Sequence, residues 1–273
     1  MHQCHRFSTC LAMLALAALA PLSATAACTR PILVPVAPIG QSVMIRAGQV
    51  SGAVPDLLKL VGARAGCTFV FAPMPRIRLE TMFEMGKADL LVSATHSARR
   101  DRYGLFIALV ETRATLISLD SMAAPPRSID DLLARRELRV ALVRGFDYGD
   151  AYLRLSQKLA EQGRLYLEPD PLTVARLLHG GMADVTIMPP SAVAGAVMGD
   201  ARLAAMVARM RITPLAELPW IRSGIYISYA SMHAGDRATL ERALTASSKA
   251  GDMLAIFKRY YPPALLSEST RPL

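Results

Sequence analysis

The segment "GKADLLVSATHSARR", residues 86–100, decides the fold because it places a helix end, a strand and a cluster of polar side chains in direct succession. Gly86 is typical of a helix C-terminus, and the run "DLLVSA" that follows reads as a strand. Ligands of open α/β sheets bind beyond the carboxyl ends of the strands, which is where the hydroxyl groups and arginines of this segment fall. The segment therefore predicts a ligand-binding site at the end of this strand.

The first 26 residues are predicted to form a cleavable signal peptide. Arg6 precedes an apolar stretch at residues 11–20, and small residues at 24–26 match a cleavage site. No later run is long and uncharged enough to suggest a membrane span. We therefore expect export to the periplasm. A lipid anchor at Cys28 is disfavoured because the preceding residues lack the Leu that usually opens a lipobox.

Two cysteines, Cys28 and Cys67, remain once the signal is removed, in a compartment that permits disulfides. Cys28 precedes the first predicted strand and Cys67 begins the second. If those strands are parallel neighbours, both thiols lie at the same end of the sheet. We expect one disulfide between them.

The formal net charge of +9 does not indicate nucleic-acid binding, because basic residues are scattered and aromatic residues do not alternate with them. The sequence has no His-Glu-x-x-His pattern and no cysteine pair with metal spacing. We expect a monomer without a metal ion or cofactor.

Short β-rich runs alternate with helical patterns, which indicates an α/β architecture with largely parallel sheets. A helix is predicted at residues 54–66, and another at 76–89 with Ile77, Met82 and Phe83 facing inward. The pattern restarts after the prolines at 125 and 126.

This restart predicts two lobes joined by extended crossovers near residues 113–121 and 223–230. We assign residues 27–118 plus 224–273 to lobe 1 and residues 119–223 to lobe 2. Hinge closure over a ligand is the natural mechanism of such an arrangement.

These features together resemble the bacterial extracellular solute-binding proteins of family 3, which deliver polar amino acids and similar solutes to ABC transporters. In that family a Gly-Lys-x-Asp helix end leads to a strand and then to Ser/Thr-x-Ser/Thr-x-x-Arg, a pattern filled by Thr95, Ser97 and Arg100. Similar segments recur at residues 128–145, at "GMADVTIM" (181–188) and at the terminal "FKRYY", so the resemblance covers nearly the whole mature chain. It implies the type II periplasmic binding protein fold and a membrane permease as partner.

The resemblance also implies a ligand site. Arg100 would bind a ligand carboxylate through its bidentate fork, and the Thr95 hydroxyl would supply a further donor. Ser93 and Ser97 belong to the same segment and are expected beside the ligand.

Three positions depart from the family pattern. The second-lobe turn, which is expected at the ligand, reads Gly145-Phe146, followed by Asp147, where the family has Gly-Thr. Arg76 stands at a predicted helix start where an aromatic residue is frequent, and it is expected to point into the cleft toward an anionic ligand. Pro189 replaces the acidic residue that usually holds the α-ammonium group of an amino acid. The expected ligand is therefore a small carboxylate-bearing solute, either amino-acid-like or an organic acid.

Two alternatives share this scaffold. Exported cyclohexadienyl dehydratases resemble the same receptors, and Glu111, Asp147 and His96 are the candidate acid–base groups for such an enzyme. A binding lobe that serves a sensor protein in trans is the other alternative.

Overall fold

The computed structural model describes residues 27–273; the predicted signal peptide lies outside the described residues. Strands and helices alternate through the first part of the chain, as predicted. The elements here are β1 (Ile32–Val36), β2 (Met44–Arg46), β3 (Gln49–Ser51), α1 (Ala53–Ala65), β4 (Phe69–Pro73), α2 (Arg76–Glu84), β5 (Leu90–Thr95), α3 (Ala98–Asp101) and β6 (Gly104–Thr112).

The two cysteines meet at one end of a parallel strand pair. β1 pairs with β4 in parallel, with Ile32 opposite Phe69. Cys28 and Cys67 precede these strands and form a disulfide, with their Cα atoms 4.9 Å apart. The predicted disulfide is confirmed, and it fits an oxidising compartment. The Cys28 thiol that forms this bond is not available for lipid attachment.

A second α/β unit follows. Its elements are β7 (Thr115–Leu119), α4 (Ile129–Ala134), β8 (Val140–Val143), α5 (Asp150–Glu161), β9 (Leu165–Glu168), α6 (Pro171–His179), β10 (Val185–Met188), α7 (Pro190–Val197), α8 (Met206–Arg209) and β11 (Met210–Thr213). The strands form one sheet in the order β11-β7-β10-β8-β9. β8 is parallel to both β9 and β10, whereas β7 is antiparallel to its neighbours. The carboxyl ends of β8 and β10 therefore open at the same edge.

The chain then returns to the first lobe. The last elements are β12 (Ile221–Ser228), α9 (Ala234–Lys249), α10 (Asp252–Tyr260), α11 (Pro263–Ser267) and β13 (Thr270–Arg271). β12 lies between β5 and β6, and β13 pairs with the far edge of β6, so this sheet has the order β13-β6-β12-β5 and is antiparallel throughout. The expectation of largely parallel sheets is therefore wrong for this sheet; parallel pairing is found between β1 and β4 and along β10-β8-β9.

The two lobes have separate hydrophobic clusters. One cluster draws its buried side chains from residues 114–218, a second draws them from residues 32–110 and 225–256, and a smaller third draws them from residues 37–94 and from Tyr226. The chain thus passes from the hydrophobic core of one lobe to that of the other and back again, close to the two expected crossovers. The residue limits assigned to the lobes from the sequence stay a prediction.

The single tryptophan of the chain lies where the crossovers meet. The guanidinium groups of Arg113 and Arg271 both contact the Trp220 ring, each 4.7 Å from the ring centroid. Arg113 pairs with Glu268, and Arg271 pairs with Glu111 at 2.6 Å. Trp220 therefore contacts both the first crossover and the C-terminal strand.

The expected inward face of α2 is partly wrong. Phe83 is buried as predicted, but Ile77 is 49% exposed, and Leu79 is buried in its place. None of the helices at residues 27–273 is long and apolar enough to cross a membrane.

Candidate functional site

A cavity of about 90 Å³ lies between the lobes, below the roughly 300–1,000 Å³ of ligand pockets in general. Apolar side chains form much of its wall: Ile39, Val54, Leu57, Leu109, Ile225, Met253 and Phe257. Hydroxyl-bearing side chains complete it: Ser42, Ser93, Thr95, Thr112, Tyr148, Ser191, Ser223 and Thr270. Within residues 27–273, no Asp, Glu, Lys or Arg side chain lines this cavity.

Ser93 combines two unusual features at the cavity wall. Its backbone φ is 51°, in the left-handed region that residues other than glycine rarely adopt. Its hydroxyl oxygen is buried and has no hydrogen-bond partner within residues 27–273. Strained backbone of this kind is concentrated at functional sites. Ser93 is therefore a well-supported candidate among the predicted ligand residues.

Arg100 does not face the cavity in this conformation. It is 4% exposed, and its guanidinium pairs with the Glu80 carboxylate through Nε and Nη2. Its Nη1 donates to the Thr95 carbonyl and to the Thr95 hydroxyl, at 2.8 and 2.9 Å. Four of its five N–H donors are thus engaged.

Thr95 connects the lobes. Its hydroxyl donates to the Asp147 carbonyl oxygen at 2.9 Å, and the side chain also lines the cavity. Ser97 lies further out and acts as the N-cap of α3, accepting from the Arg100 backbone N–H. The structure brings Ser93 and Thr95 to the cavity, and it places Ser97 and Arg100 beyond it.

Arg76 lies at the lobe interface, next to the cavity-lining Ser93. It is 8% exposed, and its one hydrogen bond runs from Nη2 to the Ser93 carbonyl at 3.2 Å. Its guanidinium sits over the Phe146 ring of the second lobe, 5.2 Å from the centroid. It forms no ion pair with any residue of 27–273. Burial lowers the pKa of this guanidinium from its usual value.

The three buried arginines differ in how many of their donors are used. Arg164, also without an acidic partner, donates to Gln162 Oε1 and to the carbonyl oxygens of Leu132, Leu133, Arg135 and Leu138. Arg100 is satisfied by Glu80 and Thr95, as described above. Arg76 uses one of its five donors within the described residues. Arg76 is therefore the buried cation with capacity for an anionic ligand.

The second lobe contributes the turn after β8. Gly145 has a φ of 83°, and a Cβ there would meet Arg76 Cγ at 3.4 Å. Phe146 packs edge-on against Tyr148, and the Asp147 carboxylate accepts from the Gly149 N–H at 2.9 Å. The turn thus brings its backbone and an aromatic ring to Arg76, and it directs the Asp147 carboxylate to its own loop.

Tyr148 is a cavity residue that the sequence prediction did not include. It is 9% exposed, and its hydroxyl makes no hydrogen bond with another residue of 27–273. Burial raises the pKa of Tyr148 well above its usual value, so the hydroxyl remains protonated and free to donate. The signal was its position three residues after Gly145, at the carboxyl end of a buried strand.

The candidate acid–base residues all have other partners. Glu111 pairs with Arg271, and His96 Nε2 lies 3.0 Å from the Asp101 carboxylate, on an exposed part of the first lobe. Neither residue lines the cavity, and neither does Asp147. The arrangement supplies hydrogen-bond donors and one unpaired cation near the cavity, which suits binding better than proton transfer.

No protein-family model and no curated protein sequence matches the chain. Many solved structures do match. One is a histidine kinase sensor domain with similarity to periplasmic binding proteins, with 22% identity and a TM-score of 0.64, covering 85% of this chain and 96% of that domain. Another is an ancestral arginine-binding protein bound to arginine, with 15% identity and a TM-score of 0.67, covering 85% and 98%. A third, from Streptococcus pneumoniae, is an amino acid ABC transporter substrate-binding protein bound to L-arginine, with 17% identity and a TM-score of 0.66, covering 84% and 94%.

The chain has the type II periplasmic binding protein fold. The fold expected from the sequence is therefore confirmed, including its two lobes. Identities of this size define the fold alone, so the solute has to be inferred from the cleft itself.

Proposed function

We propose that this protein is the periplasmic solute-binding component of an ABC transporter, and that its lobes close on a small carboxylate-bearing solute whose anionic group pairs with Arg76. The observation that carries the proposal is the buried Arg76 guanidinium, which lies between the lobes with four of its five N–H donors unused by any residue of 27–273. A buried charge without a partner is costly, so a site of this kind favours an anion that arrives with the ligand.

Neighbouring groups suit the same anion. The hydroxyl groups of Ser93 and Tyr148 have no hydrogen-bond partner in the described part of the chain, and the Ser93 carbonyl accepts a hydrogen bond from Arg76. Hydrogen bonds to a carboxylate are stronger than those between neutral groups. The family pattern gives the carboxylate to Arg100, and that role stays a prediction; here Arg100 holds Thr95 in place instead.

The test is a thermal-shift screen of the mature protein against carboxylates, followed by calorimetric titration of the best ligand with variants. A ligand that binds only the folded state raises the melting temperature by mass action. Arg76→Ala should weaken binding by about 30-fold or more, which is the effect of losing about 2 kcal/mol from a buried charged contact. Arg78→Ala, an exposed arginine on the same helix, is the matched control and should bind normally.

Stability separates binding from a structural role for Arg76. If Arg76 serves the ligand, Arg76→Ala removes an unpaired buried charge, and the ligand-free variant should melt at the same temperature as the wild type or higher. A lower melting temperature together with unchanged affinity would overturn the assignment.

A sensor role in trans is the second candidate, and the observation that favours it is the likeness to a histidine kinase sensor domain. Both roles use the same cleft and differ in the partner. Uptake of the identified solute by cells that lack this protein distinguishes them. Loss of uptake supports the transporter, whereas normal uptake with an altered transcriptional response to the solute supports the sensor.

A further inference from the structure

The charges around the cleft are those of a site for a monoanion. Arg76 and Arg100 supply two positive charges, and Glu80, which pairs with Arg100, supplies one negative charge. The sum over these three largely buried side chains is one positive charge, which a single carboxylate neutralises. An α-amino acid would add an ammonium group as well, and that group would need a negative partner of its own.

The cavity wall offers no such partner. At the carboxyl end of β10 the wall is formed by Pro189, Ser191 and Ala192, none of which carries a charge. Two acidic side chains of the neighbouring elements have other partners within residues 27–273: Glu80 pairs with Arg100, and Asp147 accepts from the N–H of Gly149 in an outer groove. A buried ammonium group would therefore lie near Arg76 without compensation, at a substantial desolvation cost.

We infer that the cleft selects a small carboxylate without an ammonium group, in particular a short 2-oxo or 2-hydroxy acid with an uncharged body. This inference rests on the proposed function. The apolar wall accommodates the body of such an acid. The hydroxyl groups of Tyr148 and Ser191, which make no side-chain hydrogen bonds within residues 27–273, suit its oxo or hydroxy oxygen. The small size of the cavity, about 90 Å³, favours a short body.

The first experiment compares acids that differ only at the 2-position, by calorimetric titration of the wild-type protein. Suitable sets are pyruvate, lactate and alanine, and the corresponding sets built on the side chains of valine and leucine. At least one 2-oxo or 2-hydroxy acid should bind about tenfold or more tightly than its amino acid, a difference of about 1.4 kcal/mol. Tighter binding of the amino acid would overturn this inference and leave the proposed function standing. Absence of binding by every carboxylate tested would overturn both.

The second experiment adds the missing charge at Pro189, which lines the cavity and is the N-cap of α7. Asp and Asn are both favoured at an N-cap, so Pro189→Asp and Pro189→Asn are a matched pair that differs in charge. Pro189→Asp should improve the affinity for amino acids relative to their 2-oxo acids by about tenfold or more, and Pro189→Asn should keep the wild-type preference. An equal preference in the two variants, with both correctly folded, would overturn the inference.

The inference of a carboxylate without an ammonium group would also be overturned if the wild-type protein preferred amino acids and the Asp147→Asn variant did not. That result would assign the ammonium group to Asp147, whose carboxylate lies in the outer groove together with Arg99 and Arg144.

Discussion

At the scale of single residues, Ser93 holds an unfavourable backbone conformation beside the cavity. Left-handed backbone costs a residue with a Cβ about 1–2 kcal/mol, and glycine avoids that cost. We expect Ser93→Gly to raise the free energy of unfolding by about 1 kcal/mol and to weaken ligand binding, because it relieves the strain and removes the unpaired hydroxyl.

Chemical denaturation and ligand titration measure the two effects. Ser93→Ala is the control: it removes the same hydroxyl and keeps the strain, so it should weaken binding without the gain in stability. A Ser93→Gly protein no more stable than Ser93→Ala would show that the strain is absent in solution.

The ion pair between Arg100 and Glu80 should be structural. Their side chains are 4% and 12% exposed, so removal of Glu80 leaves the Arg100 charge buried without its carboxylate, and removal of Arg100 leaves Glu80 with the more distant Arg99, at 3.9 Å. We expect Arg100→Ala and Glu80→Ala each to lower the free energy of unfolding by about 3 kcal/mol. The double variant should lose less than the sum of the two, with a coupling of about 1 kcal/mol or more in a double-mutant cycle. Additive losses would contradict the pairing.

The sequence indicated that both Arg76 and Arg100 lie near the cleft, but it did not show which of them is free. Glu80 is four residues after Arg76 on α2, and helical spacing alone would pair these two. In the structure the Glu80 carboxylate instead meets Arg100, which is twenty residues further along the chain. Which arginine pairs with Glu80 depends on how α2 packs against the end of β5, and no local sequence pattern predicts that packing.

At the scale of elements, each lobe contains an equivalent contact, in which an aspartate accepts hydrogen bonds from an arginine guanidinium and from a backbone N–H. Asp89, the acid of "GKAD", accepts from the guanidinium of Arg30 and from the backbone N–H of Leu33. Asp184, the acid of "GMAD", accepts from both the guanidinium and the backbone N–H of Arg139. In each lobe an aspartate before a buried strand thus fixes the start of a neighbouring strand.

This contact predicts a pH dependence of stability. Burial alone would raise the pKa of Asp89, but hydrogen bonds from Arg30 and Leu33 outweigh it and hold the pKa below its usual value. A carboxylate with a depressed pKa stabilises the fold above its unfolded-state pKa of about 3.9, and this stabilisation is lost as the pH falls through the folded-state value.

Asp89→Asn should therefore be less stable than the wild type at pH 6, and the difference should shrink below about pH 4. Urea unfolding at a series of pH values measures it. Asp130→Asn, which changes an aspartate whose side chain makes no ion pair within residues 27–273, is the control. A pH-independent difference for Asp89→Asn would contradict the ionic contribution.

Element types were predictable where the periodicity was strong, as in α1, whose buried face at Val54, Leu57, Leu58 and Val61 matches the expected one. The buried face of α2 was not predictable. An amphipathic helix normally buries its apolar residues, but this short helix buries Arg76 at its start. β6 has no counterpart among the predicted strands. Its run "GLFIALVET" is apolar on both faces, which does not distinguish a strand from a helix.

At the scale of the whole molecule, direct contacts hold the lobes together around the small cavity. The Thr95 hydroxyl reaches the Asp147 carbonyl, the Gln41 side chain donates to the Gly195 carbonyl at 3.1 Å, and Arg76 lies on Phe146. The order of motifs along the chain was sufficient to predict the two lobes and the cleft. The extent of closure was not predictable, since it depends on contacts between residues far apart in sequence.

Trp220, which contacts Arg113 and Arg271, gives the protein an intrinsic fluorescence probe. With one indole in the entire chain, tryptophan fluorescence has a single source, and that source lies at the junction of the crossovers beside two guanidinium groups. If rotation of the lobes alters the surroundings of the ring, the emission should change when the solute binds. The change should saturate with the calorimetric affinity, and Arg76→Ala should need about 30-fold or more solute to reach the same change. Lobe closure can thus be followed in the unlabelled protein, and stopped-flow mixing measures its rate.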